Sequence, residues 1–269
     1  GWAPFVIGAG ALALYRMRRP PTNGDLDRKS SLLLVALGLM LYALVPAFMF
    51  LGLDRADAVT FNFVFQAGIP LVLAFTAGSM LKERTSSWEW AGVAIVIAGM
   101  YAFFPAVPSG AEATGVMLAA LAAFGIGGSN LIQRKIMRAH VISSLDAAMK
   151  PMALGSVALF GIALAIEGVP SLDLEAVALL LVLGVVNTAF AFTIWHQAMR
   201  TLKALHAGVI ASAQIVEVAV LAWWILGESL TGGRIVGSVV VLAGIYAVHF
   251  SKARALRASG QESQVSTVG

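Results

Sequence analysis

Long apolar runs separated by short polar stretches make up most of this chain. Nine such runs lie at about 2–15, 31–53, 57–81, 88–107, 113–133, 143–166, 174–199, 204–227 and 231–250. All but the first approach the roughly 20 residues that a helix needs to cross a bilayer. The runs are continuous and lack the alternation of barrel strands. The pattern therefore predicts a bundle of membrane-spanning helices, each of which satisfies its own backbone groups.

One short pattern occurs twice in the chain: a charged clip, then a glycine-bearing helix that ends in Tyr-Ala. The matching residues lie 145 positions apart: Glu83 and Glu228, Gly92 and Gly237, Gly99 and Gly244, Tyr101 and Tyr246. Internal repeats of membrane helices are typical of carriers whose halves rock around a shared central site. We predict one repeat over 1–107, a second over 108–250, and a disordered cytoplasmic tail over 251–269.

Composition supports a membrane protein and narrows its chemistry. The 269 residues are 59% hydrophobic and only 12% charged, against about 25% charged in soluble domains. Basic residues that hold loops against anionic lipid explain the sequence pI of about 9.6 better than a nucleic-acid partner does. With no cysteine, and four histidines without metal-ligand spacing, we expect no metal and no cofactor.

The basic residues orient the helices. All 18 lysines and arginines except Arg55 and Arg234 fall on one side of the predicted bundle. The positive-inside rule places that side, and the C-terminus, in the cytoplasm, as in a multi-pass protein of the plasma (inner) membrane. The first run then starts outside, so we expect one more helix before Trp2. Ten helices in two sets of five form repeats of opposite orientation, which is an inverted repeat.

These features resemble the drug/metabolite transporter superfamily in its EamA-type branch. The resemblance lies in a mid-membrane segment at 67–71 that is followed by Glu83, and in its counterpart at 214–216 that is followed by Glu228. It implies an all-α inverted repeat of five plus five helices, nine of them present here, around a central cavity. It also implies secondary-active transport of a small metabolite by alternating access, by analogy the efflux of an amino acid or similar compound.

Polar residues within the apolar runs are the candidates for substrate binding: Asn62, Gln66, Asn187, Gln214 and Glu217. Asn62, Gln66 and Pro70 are spaced by one helical turn and share a face. Backbone carbonyls that a proline leaves free commonly help to form transporter sites. Hydrogen bonding between helices is the alternative role for these residues.

Two charged residues within the runs, together with Pro70, are candidates for coupling and gating. A charge at a helix centre costs about 2.5–3.5 kcal/mol on insertion scales. Glu217 is therefore expected to take part in proton coupling or to bind a substrate amine. The alternative is a structural role, in which Glu217 makes a hydrogen bond or pairs with Lys150. Lys150 could bind an anionic substrate group, or extend to the cytoplasmic surface.

Glu83 and Glu228 are predicted structural clips at helix ends. Each carboxylate is expected to cap the N-terminus of the helix that follows it, where the helix dipole is positive, and to share in gating. In the ninth helix, where the family often has Glu-Pro, this chain has Gln214-Ile215. That departure leaves open any role for an acid at this position.

The predicted partners are a small-molecule substrate, the lipid bilayer and, if transport is driven, protons. The chain could act as a monomer or a homodimer. A passive channel, and an integral-membrane enzyme or lipid-handling protein, are the alternative functions. The short loops carry no acidic or histidine cluster, so we predict that the chain is not an enzyme. Saturable counterflow distinguishes a carrier from a channel.

Overall fold

The computed structural model describes residues 3–17, 28–81, 87–104, 106–138, 144–168, 174–184 and 213–265, and the regular structure in these ranges is helical. The predicted all-α fold is confirmed. The helices are α1 (Ala3–Met17), α2 (Arg28–Leu39), α3 (Val45–Leu53), α4 (Ala58–Leu81), α5 (Ser87–Phe103), α6 (Gly110–Arg138), α7 (Ser144–Glu167), α8 (Leu174–Val182), α9 (Gln214–Leu226) and α10 (Gly232–Val265).

Several described stretches have the length and apolarity of membrane spans. Three of them can cross a bilayer unaided: Arg28–Leu53, Gly110–Gln133 and Met149–Ile166. Shorter apolar helical stretches are Ala58–Leu73, Ser87–Phe103, Gln214–Leu226 and Gly232–Val248. The predicted runs 174–199 and 204–227 are described only to residue 184 and from residue 213.

A π-helical turn, Met40–Leu44, joins α2 to α3 within the predicted run 31–53. At its end the N–H of Val45 bonds to the carbonyl of Met40. Pro46 follows, and a proline in a regular helix would clash with the carbonyl four residues earlier, which belongs to Tyr42. The wider turn accommodates Pro46 without ending the helix.

The last helix is longer than the sequence predicts. We predicted a disordered tail over 251–269, whereas α10 continues to Val265. The prediction rested on the loss of apolar residues after residue 250. Ala, Arg, Lys and Leu between 252 and 258 are good helix formers, and they extend a helix that is already nucleated.

The chain divides into two compact units that cut across the predicted repeats. One comprises Gly1–Leu51 and Phe124–Arg200, and the other Gly52–Ala123 and Thr201–Gly269. Both units take chain from before and after residue 107. A repeat reflects similarity along the sequence, whereas a compact unit reflects packing, so the repeat boundary stays a prediction.

In the first unit, α2 and α7 cross at small residues. A Cβ atom at Gly38 would lie 2.7 Å from the carbonyl oxygen of Pro151, and one at Gly155 would collide with the backbone of Gly38. The ring of Tyr42 is buried beside Met152 and meets Phe5 edge-on at 5.8 Å. Close backbone approach is the packing that small residues permit between membrane helices.

In the second unit, α5 and α10 pack through the repeated glycines. A Cβ at Gly92 would lie 2.9 Å from the carbonyl oxygen of Gly244, and one at Gly99 would lie 3.0 Å from that of Gly237. The two helices run antiparallel. If each glycine is replaced by its counterpart in the other repeat, the contact of Gly92 with Gly244 becomes the contact of Gly237 with Gly99. The similarity between the two copies therefore recurs as a two-fold relation in the packing of these helices.

Helix α4 is the most enclosed part of the second unit. Residues 59–65 are all buried. Phe63 stacks on Phe103 with ring centroids 3.7 Å apart, and Phe61 lies against Gly52. Buried polar groups need hydrogen-bond partners. The partners of Thr60 and Asn62 therefore identify which other parts of the chain contact α4.

Candidate functional site

Polar side chains of α4 meet the start of α9. The Nδ2 atom of Asn62 donates to the backbone carbonyl of Gln214 at 3.2 Å. The Nε2 atom of Gln66 donates to the side-chain oxygen of Gln214 at 2.6 Å. The structure thus brings together three of the residues that we predicted for substrate binding, and each helix comes from a different predicted repeat.

Pro70 removes one helical hydrogen bond close to this polar contact. It lies inside α4, four residues after Gln66. Because proline has no N–H, it cannot donate to the carbonyl of Gln66. The backbone carbonyl of Gln66 therefore lacks its usual helical donor. Gln66 lies eight residues after Ala58, about 12 Å along the helix axis.

Glu217 lies one turn beyond Gln214, in the first turn of α9. Its backbone N–H bonds to the carbonyl of Ala213 at 3.0 Å, and its side chain is exposed. Within the described part of the chain, no hydrogen bond or ion pair engages its carboxylate. A residue three positions on shares a helix face, so Glu217 is the charged neighbour of Gln214.

The remaining predicted residues lie elsewhere. Asn187 and Glu83 lie outside the described residues. Lys150 is exposed on α7, in the first unit, where it lines a largely apolar cavity of about 500 Å³ with residues of α1 such as Val6 and Ala9. Glu217 belongs to the other unit. A pair between Lys150 and Glu217 stays a prediction.

Glu228 caps a helix, but not the one that follows it. Its two carboxylate oxygens accept from the N–H groups of Ala58 and Val59, at 2.7 and 3.0 Å, at the start of α4. The following helix, α10, is capped by Thr231, whose hydroxyl accepts from the N–H of Arg234 at 3.4 Å. The expected target was therefore wrong, because a nearer residue already occupies that position.

The backbone turn before Glu228 explains why this residue lies beside α4. Gly227 ends α9 in the left-handed conformation, with φ 69°. Its N–H and that of Glu228 both bond to the carbonyl of Ala222. Glycine adopts this conformation without the steric cost that a Cβ imposes, which makes it the usual residue at a helix C-terminus. The chain turns sharply here and leaves Glu228 beside α4.

Three residues absent from our site prediction complete this helix end. Asp57 accepts from the N–H of Thr60 through Oδ1 at 2.7 Å, and from Arg234 through Oδ2 at 2.6 Å. Arg234 also donates to the Thr60 hydroxyl at 3.2 Å. The sequence contained a signal for Arg234. It is one of two basic residues on the side of the predicted bundle that is otherwise poor in positive charge.

Comparison with known proteins identifies the family. The sequence pattern of the EamA-like transporter family matches residues 113–250, just over half of the chain. The chain belongs to the EamA-like transporter family. EamA membership places the chain in a family of transporters, and its apolar helices support a multi-pass membrane protein.

Two relatives and one solved structure extend the comparison. A probable amino-acid metabolite efflux pump of Salmonella typhimurium (strain LT2) is 27% identical over 193 residues, which cover 67% of this chain and 64% of that protein. The putative permease-like protein YdzE of Bacillus subtilis (strain 168) is 35% identical over 66 residues, covering 24% of this chain and 85% of that protein. A crystal structure with 18% identity superposes with a TM-score of 0.62, covering 92% of this chain and 86% of the other, and supports the fold.

Proposed function

We propose that this EamA-family chain is a secondary-active carrier that exports a small metabolite across the inner membrane by alternating access. The observation that carries the proposal is the polar contact of Asn62 and Gln66 with Gln214. It joins two largely apolar helices, one from each predicted repeat. Carriers with inverted repeats bind substrate at such an interface, near the bilayer midplane.

The proposed substrate is an amino acid or a similar small compound. The name of the Salmonella relative, of which this chain matches 64%, supports the class. The site chemistry is compatible with it. Asn62, Gln66 and Gln214 supply neutral donors and acceptors. The carboxylate of Glu217, which has no partner among the described residues, suits an ammonium group.

Glu217 is the proposed coupling residue. A carboxylate in an apolar segment, without a hydrogen-bond partner among the described residues, can bind a proton or a substrate amine, but not both at full strength. Competition between the two would link proton entry to substrate release. The exposure of Glu217 beside Gln214 supports this role.

Glu228 and Pro70 are proposed to act in the movement between states. The contacts of Glu228 with α4 tie this helix to the segment between α9 and α10. Both hydrogen bonds are made by the carboxylate of Glu228, so they can break together when this side chain moves. Pro70 is a point at which α4 can bend, because its helical hydrogen bond is missing.

Counterflow in proteoliposomes tests whether the chain is a carrier. Vesicles loaded with each of a panel of unlabelled amino acids are diluted into the same labelled compound, without an ion gradient. A carrier gives transient, saturable accumulation of label for at least one compound. A passive channel gives none, and neither does an enzyme or a lipid-handling protein, so its absence across the panel contradicts the proposal.

Replacement of Glu217 by Gln tests the coupling step. We expect Glu217→Gln to abolish accumulation driven by a proton gradient and to retain exchange, because the amide keeps the size and polarity but cannot bind the proton. Glu175→Gln is the control, since it removes another exposed carboxylate from the first turn of a helix, α8. Gradient-driven transport by Glu217→Gln with unchanged pH dependence would remove Glu217 from the mechanism.

A further inference from the structure

A groove of about 500 Å³ lies between α1 and α7, within the first unit. Small residues form much of this α1–α7 groove: Ala9, Gly10 and Ala13 on α1, and Ala153 on α7. A Cβ atom added at Gly10 would meet nothing within 4 Å, so the space above this glycine is open. The volume falls within the range of ligand pockets, about 300–1,000 Å³. The groove can therefore hold a molecule or a part of one.

The wall of the α1–α7 groove has few hydrogen-bonding groups. Among the described residues that line it, only Lys150 and Ser156 carry a charged or hydroxyl group. Ser156 is buried, and its hydroxyl already donates to the carbonyl of Ala153 at 2.9 Å. A small polar metabolite would lose its hydrogen bonds to water here without replacing them, which is unfavourable. The groove therefore suits an apolar ligand body.

Lys150 supplies a cation near one end of this wall. Its side chain is exposed, and no hydrogen bond or ion pair engages its ammonium group within the described part of the chain. Ala153 and Val157 continue the wall three and seven residues further along α7, about 4.5 and 10 Å along the helix axis. The groove thus combines a point charge at one end with an apolar surface beyond it.

The position of Lys150 in its helix corresponds to a membrane boundary. It is the second residue of Met149–Ile166, a stretch that can cross a bilayer, and the rest of the α7 wall lies further into this stretch. A lysine at such a position keeps its stem along apolar surface and its ammonium group at the headgroup level. The basic residues predict that this end of α7 faces the cytoplasm, where the leaflet contains anionic lipids.

We propose that the α1–α7 groove binds an anionic phospholipid, with the phosphate at the ammonium group of Lys150 and one acyl chain along the groove. Val157, on the wall, is 68% exposed, so the groove is open to its surroundings. In a bilayer those surroundings are acyl chains, and the cation then decides which lipid is preferred. Basic pockets between membrane helices on the cytoplasmic side bind anionic headgroups in the same way. This inference goes beyond transport and does not depend on it.

A soluble anion is a poorer match for the groove than a phospholipid. An exposed lysine alone holds a soluble anion weakly, because water and salt screen the pair. Such an anion would also leave the apolar wall empty. A phospholipid complements both parts of the groove, and the bilayer supplies it at high local concentration, which favours occupancy by mass action.

Native mass spectrometry tests the proposal, because it counts the lipids bound to the purified full chain in detergent. Dioleoylphosphatidylglycerol is the probe, and dioleoylphosphatidylcholine has the same acyl chains but a headgroup without net charge. We expect phosphatidylglycerol to bind about fivefold more tightly, the effect of one lysine near an anionic headgroup. Glycerol 3-phosphate has the phosphate without acyl chains, and it should not compete.

Replacement of Lys150 tests the headgroup contact. Lys150→Gln should lower the affinity for phosphatidylglycerol about fivefold, to that for phosphatidylcholine, and Lys150→Arg should keep the preference. Lys29→Gln is the control that should behave as wild type. It removes another exposed cation from the predicted cytoplasmic side, at the start of α2 and outside the groove.

Replacement of Gly10 tests the acyl-chain contact. The side chain in Gly10→Leu would fill the open space of the groove, so we expect loss of the bound lipid for both headgroups. Gly232→Leu is the control, because it adds the same side chain at a glycine of the second unit whose surroundings are also open. Melting temperatures check that each variant is folded.

The outcomes decide between this site and its alternatives. Equal affinity of wild type for the two lipids, an unchanged preference in Lys150→Gln, an equal loss in Lys29→Gln, or unchanged binding in Gly10→Leu would each overturn the lipid site. Competition by glycerol 3-phosphate would replace it with a soluble-anion site. No lipid on wild type would also overturn it and would favour the predicted helix before Trp2 as the occupant. Lipid binding without counterflow would keep this site and overturn only the carrier proposal.

Discussion

The residues at the start of α4 account for the N–H groups that a helix leaves unsatisfied at its first turn. Ala58 and Val59 donate to Glu228, Thr60 donates to the side chain of Asp57, and Phe61 donates to the carbonyl of Asp57. Two acids thus serve one helix end. Arg234 offsets their charge through its 2.6 Å contact with Asp57.

Glu228→Gln tests the contribution of the distant cap. An amide has one oxygen, so one of the two N–H groups loses its acceptor, and the charge that favours the helix dipole is lost as well. We expect the free energy of unfolding to fall by about 1–2 kcal/mol. Thermal unfolding in detergent measures the change, with Glu175→Gln as the control. Equal melting temperatures for Glu228→Gln and wild type would show that the cap contributes little.

At the scale of helices, the α5–α10 pair depends on backbone contact and not on large side chains. A Cβ at Gly237 would lie 2.7 Å from the backbone nitrogen of Phe103, and one at Gly244 would lie 2.8 Å from that of Val96. Without a hydrophobic driving force between helices in lipid, such close packing is a main source of association. The long α4, by contrast, associates through stacked rings and the polar contacts with Gln214.

Gly237→Ala tests this mode of packing. The added methyl group meets backbone that cannot move without separating the helices, so we expect a loss of about 1–3 kcal/mol, typical of overpacking. Gly232 lies in the same helix with nothing within 4 Å of an added Cβ. Gly232→Ala should therefore be neutral, or stabilising by up to about 1 kcal/mol. Similar melting temperatures for the two variants would contradict glycine-mediated contact.

For the whole molecule, the asymmetry of basic residues predicts the orientation, and the structure accounts for one of the two exceptions. Arg234 lies off the basic side, where its charge is balanced by Asp57 and bonded by neighbours. An arginine held in this way is a fixed structural element and carries little weight in orienting the chain. The asymmetry of the other basic residues therefore still predicts a cytoplasmic C-terminus.

Cysteine labelling tests that orientation. The chain has no cysteine, so a single introduced cysteine is the only thiol of the protein that a reagent can label. We expect Ser229→Cys to react with an impermeant thiol reagent in intact cells, and Ser263→Cys to react only after the membrane is opened. Labelling of Ser263→Cys in intact cells, with Ser229→Cys protected, would reverse the predicted orientation.

The sequence by itself determined the all-α fold and the family, because these depend on local composition and on spacing along the chain. Continuous apolar runs without alternation cross lipid as helices, and the glycines that pair α5 with α10 are visible as repeated positions. The distribution of basic residues likewise predicts the orientation. Local composition was a poorer guide after residue 250, where the chain stays helical although it is no longer apolar.

Only the tertiary structure decided which polar groups meet. Gln66 and Gln214 lie 148 residues apart, and Ala58 and Glu228 lie 170 apart. Nothing in the residues around Glu228 indicates that it caps α4 and that Thr231 caps its own neighbour. A hydrogen bond depends on two atoms within about 3 Å, and in a helical bundle that proximity is set by how the helices pack and not by their order in the chain.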